Sequence, residues 1–485
     1  MNMSMSPAAM SSPAEKQLTA TWAITVIAVF LVLVLLGLIL RMAQAGELAI
    51  GPDRFYALMT LHGLGMAGTL FVGGLAAVWY LAGQYVRASR PLLWTVYALV
   101  LAGTAGLIGA TLLGRFGAGW YVLYPLPFIT VWPAWATGLA IISLIVLGVA
   151  WLLGQLELLR ALVTRYGLRN VLGWQYFGST PPQTEIPPFV LIVAVSLIAG
   201  AVTTIFGAVL LLLYLFKWFA PNLELDALLM KNVVFLFGHT LVNITMYLGL
   251  AVVYERLPQY SGRPWKTNRI VVLAWNATLG LVLVAFFHHL YMDFVQPRAF
   301  QVAGQVVSYV SAVPATAVTV FGAIAQVYRS GIRWSFAPLI YYLGLIGWVI
   351  GGLAAVVDST IAVNLFFHNT LWVPAHFHTY FLLGFVFILL GFIAELFGST
   401  AERAAKLSLW LLAIGGYGFV LMFYLGGLFG VPRRFASYAI LVQPLAEWGQ
   451  WVAGIAVYFV WLVLLGLLVY VASVIRGVGK VWSGH

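Results

Sequence analysis

A run of twenty or more apolar residues is long enough, as a helix, to span the roughly 30 Å hydrocarbon layer of a membrane. This chain of 485 residues carries twelve such runs. They lie near 19–40, 55–84, 91–113, 128–153, 188–216 and 228–254, then near 269–290, 302–326, 336–357, 370–397, 405–429 and 449–475. Backbone polar groups in hydrocarbon must be satisfied inside the spanning segment. The runs therefore predict an all-α polytopic membrane protein, a bundle of twelve transmembrane helices. Composition agrees, with 63% hydrophobic and 8% charged residues, against roughly 25% charged in soluble proteins. A soluble fold is excluded. The connections are short and hold most of the charges; the longest, Gln155 to Pro187, contains Pro181, Pro182 and Pro187. No repeat or low-complexity tract interrupts the pattern. The chain divides into a tail (1–18), a twelve-helix domain (19–476) and a second tail (477–485). The short polar start has no small-residue cleavage site, so the first run reads as a retained helix.

The excess of 24 Lys+Arg over 13 Asp+Glu belongs to the membrane, not to nucleic acid. Both tails and the connections after even-numbered helices hold sixteen Lys/Arg, and the opposite side holds eight. By the positive-inside rule both termini are cytoplasmic. Trp120, Tyr121, Tyr124, Trp132 and Trp135 cluster near helix ends, as an interfacial belt does. The absence of cysteine excludes disulfides, thiolate metal sites and covalent c-type haem on this chain.

Seven histidines lie in or beside the apolar runs: His62, His239, His288, His289, His368, His376 and His378. A single intramembrane histidine can serve as a helix–helix hydrogen-bonding residue. Seven, with one adjacent pair and one pair two apart, point to a functional site. Counting about 1.5 Å per residue from the helix ends places the intramembrane ones in one layer of the outer half of the membrane. Imidazole suits iron and copper, and no thiolate or carboxylate cluster competes. Residues two apart on a helix differ by about 200°, so His376 and His378 face opposite sides, and one helix can serve two metal centres. His239, His288 and His289 supply three more imidazoles, enough for a three-coordinate copper.

The segments GH at Gly238–His239, FFHHLY at Phe286–Tyr291 and HNTLWVPAHFH at His368–His378 resemble the catalytic subunit I of haem–copper oxidases. So do LHG at Leu61–Gly63 and GVPRR at Gly430–Arg434. The match runs over about residues 55–435 and includes the twelve-helix count. The helix 6–7 details and the HNT segment look most like the B-type branch. The resemblance implies that His62 and His378 are axial ligands of a low-spin haem and that His376 is the proximal ligand of a high-spin haem. His239, His288 and His289 would hold the second metal. His368, not a ligand in the family, would lie near the propionates of the high-spin haem, and Arg433 and Arg434 would contact propionates. A solvated interfacial charge pair is the other reading of the two arginines; bidentate carboxylate binding favours the first.

One departure bears on the reaction. A- and B-type oxidases carry, four residues after the first copper ligand, a tyrosine that donates an electron and a proton. Here Asn243 stands four after His239, on the same helix face. Splitting dioxygen in one step takes four electrons, the last from that tyrosine. Coupling two nitric oxide molecules takes two, and asparagine cannot be oxidised. The residues therefore predict a nitric oxide reductase, with a cytochrome c oxidase reducing dioxygen to water as the alternative. Cytochrome c-dependent nitric oxide reductases place a Glu here and use iron; without that hard ligand, copper is expected over iron. Tyr247, eight residues past His239, is rotated away from it, whereas Tyr291 remains open as a substitute, because C-type oxidases take their tyrosine from another helix. An ordinary helix–helix hydrogen bond is the structural alternative for Asn243.

Thr245 and Tyr254 on helix 6, with Ser308, Ser311 and Thr316 on helix 8, resemble the B-type proton path; helix packing explains such hydroxyls equally well. Asp358 and Asn364 fall in the outer loop near the implied propionates. Electrons must come from a partner with its own redox centre: a smaller subunit with a cupredoxin dicopper domain, or a cytochrome c, docking on the outer face. The resemblance places the protein in a prokaryotic cytoplasmic membrane. A twelve-helix secondary transporter is the competing class, but it predicts inverted repeats and a site at mid-membrane, and neither is seen.

Overall fold

Proline and capping residues set where the helices begin. In the computed structural model, which describes residues 12–293, 295–398 and 401–483, Ser12 and Glu15 close a reciprocal capping box around Pro13. The first helix, α1 (Pro13–Ala45), ends where Gly46 turns left-handed at φ 83°. There follow α2 (Pro52–Ala82), α3 (Arg90–Leu113), α4 (Ala134–Tyr166), α5 (Pro188–Phe219) and α6 (Ala227–Ser261). The second half comprises α7 (Arg269–Leu290), α8 (Arg298–Val327), α9 (Phe336–Asp358), α10 (Trp372–Phe397), α11 (Glu402–Leu428) and α12 (Leu445–Trp482). All twelve are long and apolar enough to cross a membrane. The described residues contain no strand, only an isolated antiparallel bridge between Thr370 and Pro432.

Neighbours in sequence pack as neighbours in space: α1 with α2, α3 with α4, α5 with α6, α11 with α12, and α12 closes back on α1. α10 is the most enclosed span and α8 the least. The cavity-lining histidines come from α2 (His62), α6 (His239), the end of α7 (His288, His289) and α10 (His376, His378), with His368 just before α10. Glycine lets the helices approach. A Cβ on Gly37 would sit 2.9 Å from the His62 ring, and one on Gly347 only 2.3 Å from the Leu383 carbonyl oxygen.

The helices depart from the expected spans in three ways. α4 begins after Pro133 rather than near 128, because Leu126–Phe128 forms a 3-10 turn; it continues to Tyr166, with Glu157 accepting both hydrogen bonds of the Arg160 fork. Helix also extends into both predicted tails: α1 starts at Pro13, behind its capping box, and α12 runs through Arg476 and Lys480. Residues 1–11 and 484–485 of those tails lie outside the described residues. Finally, besides α3, which ends in a π segment over Gly109–Leu113, three spans are not continuous α-helix. α7 is α-helical to Val282 and resumes as a 3-10 turn over Ala285–Leu290. α8 breaks at Ala312–Val313, before Pro314, where a proline removes a backbone donor. α10 contains a π segment, Thr379–Phe385. Irregular backbone at membrane depth is tolerated where it lines an internal cavity, and these interruptions border one.

Candidate metal and cofactor site

A cavity of about 760 Å³ lies within the bundle, and all seven of these histidines line it. His239 comes from α6, and His288 and His289 from the 3-10 end of α7. Their ring nitrogens lie within 4.8 Å of one another. Three imidazole nitrogens each about 2 Å from one ion lie roughly 3.5 Å apart, so small ring rotations close the set around a metal. His239 turns Nδ1 toward His289 Nε2, 3.3 Å away, and Nε2 toward the Asn243 amide, also 3.3 Å away. His288 Nδ1 is 3.1 Å from the Ser308 hydroxyl. The Phe235 ring stacks on His289 at 4.7 Å.

Three of the other imidazoles are oriented by backbone. His62 Nδ1 donates to the Leu33 carbonyl on α1 at 2.8 Å, His376 Nδ1 to Gly351 on α9 at 3.2 Å, and His378 Nδ1 to Pro374 at 2.7 Å. A carbonyl can only accept, so each ring carries its proton on Nδ1 and offers the Nε2 lone pair. Two apart on α10, the rings diverge: His376 faces α9, while His378 packs edge-on against Phe419 and Phe423 of α11. His62 fits beside α1 because Gly37 leaves room for its ring.

At one edge of the cavity, the Thr370–Pro432 bridge and a hydrogen bond from Arg433 N–H to the Asn369 carbonyl draw the GVPRR segment onto it. Arg434 holds φ 69°, a left-handed conformation costly for a residue with a Cβ and seen mostly where surroundings impose it. Both guanidiniums line the cavity, and Nε of each is buried without a hydrogen-bond partner. Burial pushes both arginines down to about 10, partly offset at Arg433 by Asp358. Two buried cations with spare donors fit carboxylates of a bound group. His368 Nδ1 meets Asn364 Oδ1 at 3.1 Å, and the Asn364 amide donates to the Asp358 carbonyl at 2.7 Å. Burial, with Arg433 and Lys231 nearby, pushes His368 down to about 4, so its ring is neutral at neutral pH.

The chain matches the model of the family described as cytochrome c and quinol oxidase polypeptide I over residues 17–468. It belongs to that family. Among curated relatives, cytochrome c oxidase subunit 1 of Cereibacter sphaeroides is 26% identical over 370 residues, 73% of this chain. This chain spans 62% of that relative's length. Cytochrome c oxidase polypeptide 1 of Halobacterium salinarum is 24% identical over 447 residues, 87% of this chain and 72% of the relative. Among solved structures, a cryo-EM heme-copper terminal oxidase dimer superposes with a TM-score of 0.77, covering 96% of this chain and 84% of its own at 18% identity. That likeness concerns the fold.

Within this polypeptide I member, the residues expected to carry protons divide. Ser308, Ser311 and Thr316 line the cavity. Tyr254 does not, but its hydroxyl meets Thr319, a residue sequence reasoning missed, at 3.0 Å. Thr245 does not line the cavity either; its hydroxyl donates back to the Leu241 carbonyl at 2.8 Å. The tyrosines also redistribute. The Tyr291 hydroxyl donates to the Ser359 carbonyl at 3.1 Å and its side chain is absent from the cavity wall, whereas Tyr247 and Tyr380 line it. Tyr380 meets the His376 ring edge-on at 5.1 Å. Its place one helical turn after His376 was the signal that could have found it. Arg41, at the end of α1, also lines the cavity, with its guanidinium 4.7 Å over Phe423; a cation within an apolar run is itself a pointer to function.

Proposed function

We propose that this chain is the catalytic subunit of a membrane-bound respiratory oxidoreductase that reduces nitric oxide to nitrous oxide at a haem–metal binuclear centre. In this reading His62 and His378 hold a low-spin haem, His376 holds a high-spin haem, and His239, His288 and His289 hold copper, with iron the lesser candidate. The bound metals supply electron relay and a two-electron donor site for two nitric oxide molecules. The chain's own part is to offer Nε2 lone pairs fixed by carbonyls, to pair buried Arg433 and Arg434 with propionates, and to keep the pocket apolar around the gas. His368 and Asn364 supply hydrogen-bonding groups beside the propionates. Ser308, hydrogen-bonded to His288, begins a hydroxyl series through Ser311 and Thr316 toward Thr319 and Tyr254, suited to passing protons; Thr245 is a weaker member.

The observation that carries the choice of gas is the Asn243 amide, which donates to the His239 carbonyl at 2.8 Å and lies 3.3 Å from its ring. This is where an oxidisable phenol would be needed for a fourth electron. The balance 2 NO + 2 e⁻ + 2 H⁺ → N₂O + H₂O needs no such group. Reduction of dioxygen to water is the second reading. It is favoured by the names of the relatives and by Tyr247 and Tyr380 in the cavity wall.

The charge asymmetry supports cytoplasmic termini, and relatives from a bacterium and an archaeon support a prokaryotic cytoplasmic membrane. A chain without cysteine needs an electron-delivering partner on the outer face, a cupredoxin-type subunit or a cytochrome c. The test is gas consumption by the purified, reduced complex supplied separately with each gas and an artificial donor. Nitric oxide loss with nitrous oxide formation and feeble dioxygen uptake is the expected result. Rapid dioxygen uptake to water would reverse the choice.

A further inference from the structure

His288 and His289 stand on a 3-10 turn, after α7 has left its regular hydrogen-bond ladder at Val282, and the next helix starts only at Arg298. A short 3-10 turn has poorer hydrogen-bond geometry than an α-helix and is a weak frame for two ligands. Another element must hold them in place, and one face of α6 meets them.

Lys231, Phe235 and His239 are four apart on α6, so they line one side of the helix. Each meets the end of α7 or the chain just after it. His239 Nδ1 is 3.3 Å from His289 Nε2. The Phe235 ring lies on the His289 ring with 4.7 Å between centroids and 10° between planes. Lys231 Nζ is 2.8 Å from Asp293 Oδ1 and 2.7 Å from Oδ2. The Gln296 amide adds a bond to Asn232 Oδ1 at 3.4 Å. The Lys231 and Asp293 side chains are 24% and 20% exposed, enough withdrawn from water that salt screens them less than a surface pair. Neither touches the cavity.

We infer that the Lys231–Asp293 ion pair is a positioning clamp for the metal ligand His289. By tying the connection after α7 onto α6, it fixes where the His289 ring stands relative to His239, and the stacked Phe235 transmits that registration. Lys231 and Asp293 are positioning residues; they neither bind the metal nor meet substrate. The inference rests on the reading of the three histidines as a metal site.

The test uses the full purified complex with Lys231→Met, Asp293→Asn, Lys231→Arg and the exchanged pair Lys231→Asp with Asp293→Lys. Two quantities are read: second metal per haem by elemental analysis, and the infrared band of carbon monoxide moved onto that metal by photolysis. Both neutralising variants are expected to keep their haem spectra, lose at least half of the second metal and broaden the band. Lys231→Arg and the exchanged pair should recover toward wild type. Wild-type metal content and band in the neutralising variants would overturn the clamp, as would an exchanged pair as depleted as they are. Loss of haem along with the second metal would overturn it too, making the pair a general packing contact. A wild-type complex with no second metal would instead remove the metal-site reading itself.

Discussion

The two ends of the central cavity are built on different principles. Around His62 and His378, the rings are held by backbone carbonyls and close-packed aromatics, with Gly37 cut away to seat one ring. Around His239, His288 and His289, two of the three rings stand on an interrupted helix, and their contacts are mostly side chains: Ser308, Asn243 and Phe235. A carbonyl in a helix cannot be mutated or rotated away. A side-chain partner can. The first end is thus suited to holding a redox group in one geometry, and the second to being tuned by substitution, which is where the departure at Asn243 lies.

Four substitutions separate the two ends. The largest effect is expected for His376→Ala, which removes the lone pair on the α9 side of α10. It should abolish turnover and the carbon monoxide difference spectrum of a high-spin haem while leaving low-spin bands in place; loss of the low-spin bands alone would exchange the roles of His376 and His378. Next, Asn243→Leu leaves the His239 ring without its amide neighbour. A buried polar group deprived of its partner costs about 1–3 kcal/mol, so nitric oxide turnover should fall about tenfold to a hundredfold with haem spectra unchanged. Unchanged turnover would make Asn243 a helix-packing residue. Ser308→Ala removes the hydrogen bond to His288 Nδ1; losing such an outer partner typically costs about 10-fold or more in metal affinity or activity, read as second metal per haem under chelator challenge. The smallest change in activity is expected for Gly37→Ala. Its Cβ would lie 2.9 Å from His62, a small overpacking cost of about 1–3 kcal/mol, and it should shift the low-spin optical bands without altering second-metal content. A variant that altered the second metal instead would break the distinction between the two ends.

Arg433 and Arg434 sharpen the same contrast, because they serve the cavity from a connection rather than a helix. Their motif was legible in sequence, but their approach was not. It depends on one isolated bridge at Thr370–Pro432 and on the positive φ of Arg434, neither of which leaves a periodic trace. The converse holds for Thr245, whose place on α6 suggested a proton carrier. Its hydroxyl bonds to the carbonyl one turn earlier instead, a local option open to any helical threonine. Tyr291, adjacent in sequence to the histidine pair, turns to Ser359, whereas Tyr380, one turn beyond His376, faces the cavity. Proximity along a chain that leaves helical geometry does not give direction.

By itself the sequence determined the membrane class, the number of spans and the histidines that gather, because length, hydropathy and the rarity of imidazole in hydrocarbon are properties of residues and their order. It also determined that residue 243 has no phenol. Only the tertiary structure decided which nitrogen His62 and His376 present, since that depends on carbonyls from other helices. The same is true of where α7, α8 and α10 give up regular helix, because such breaks persist only where neighbouring helices and an internal cavity accept the freed backbone groups.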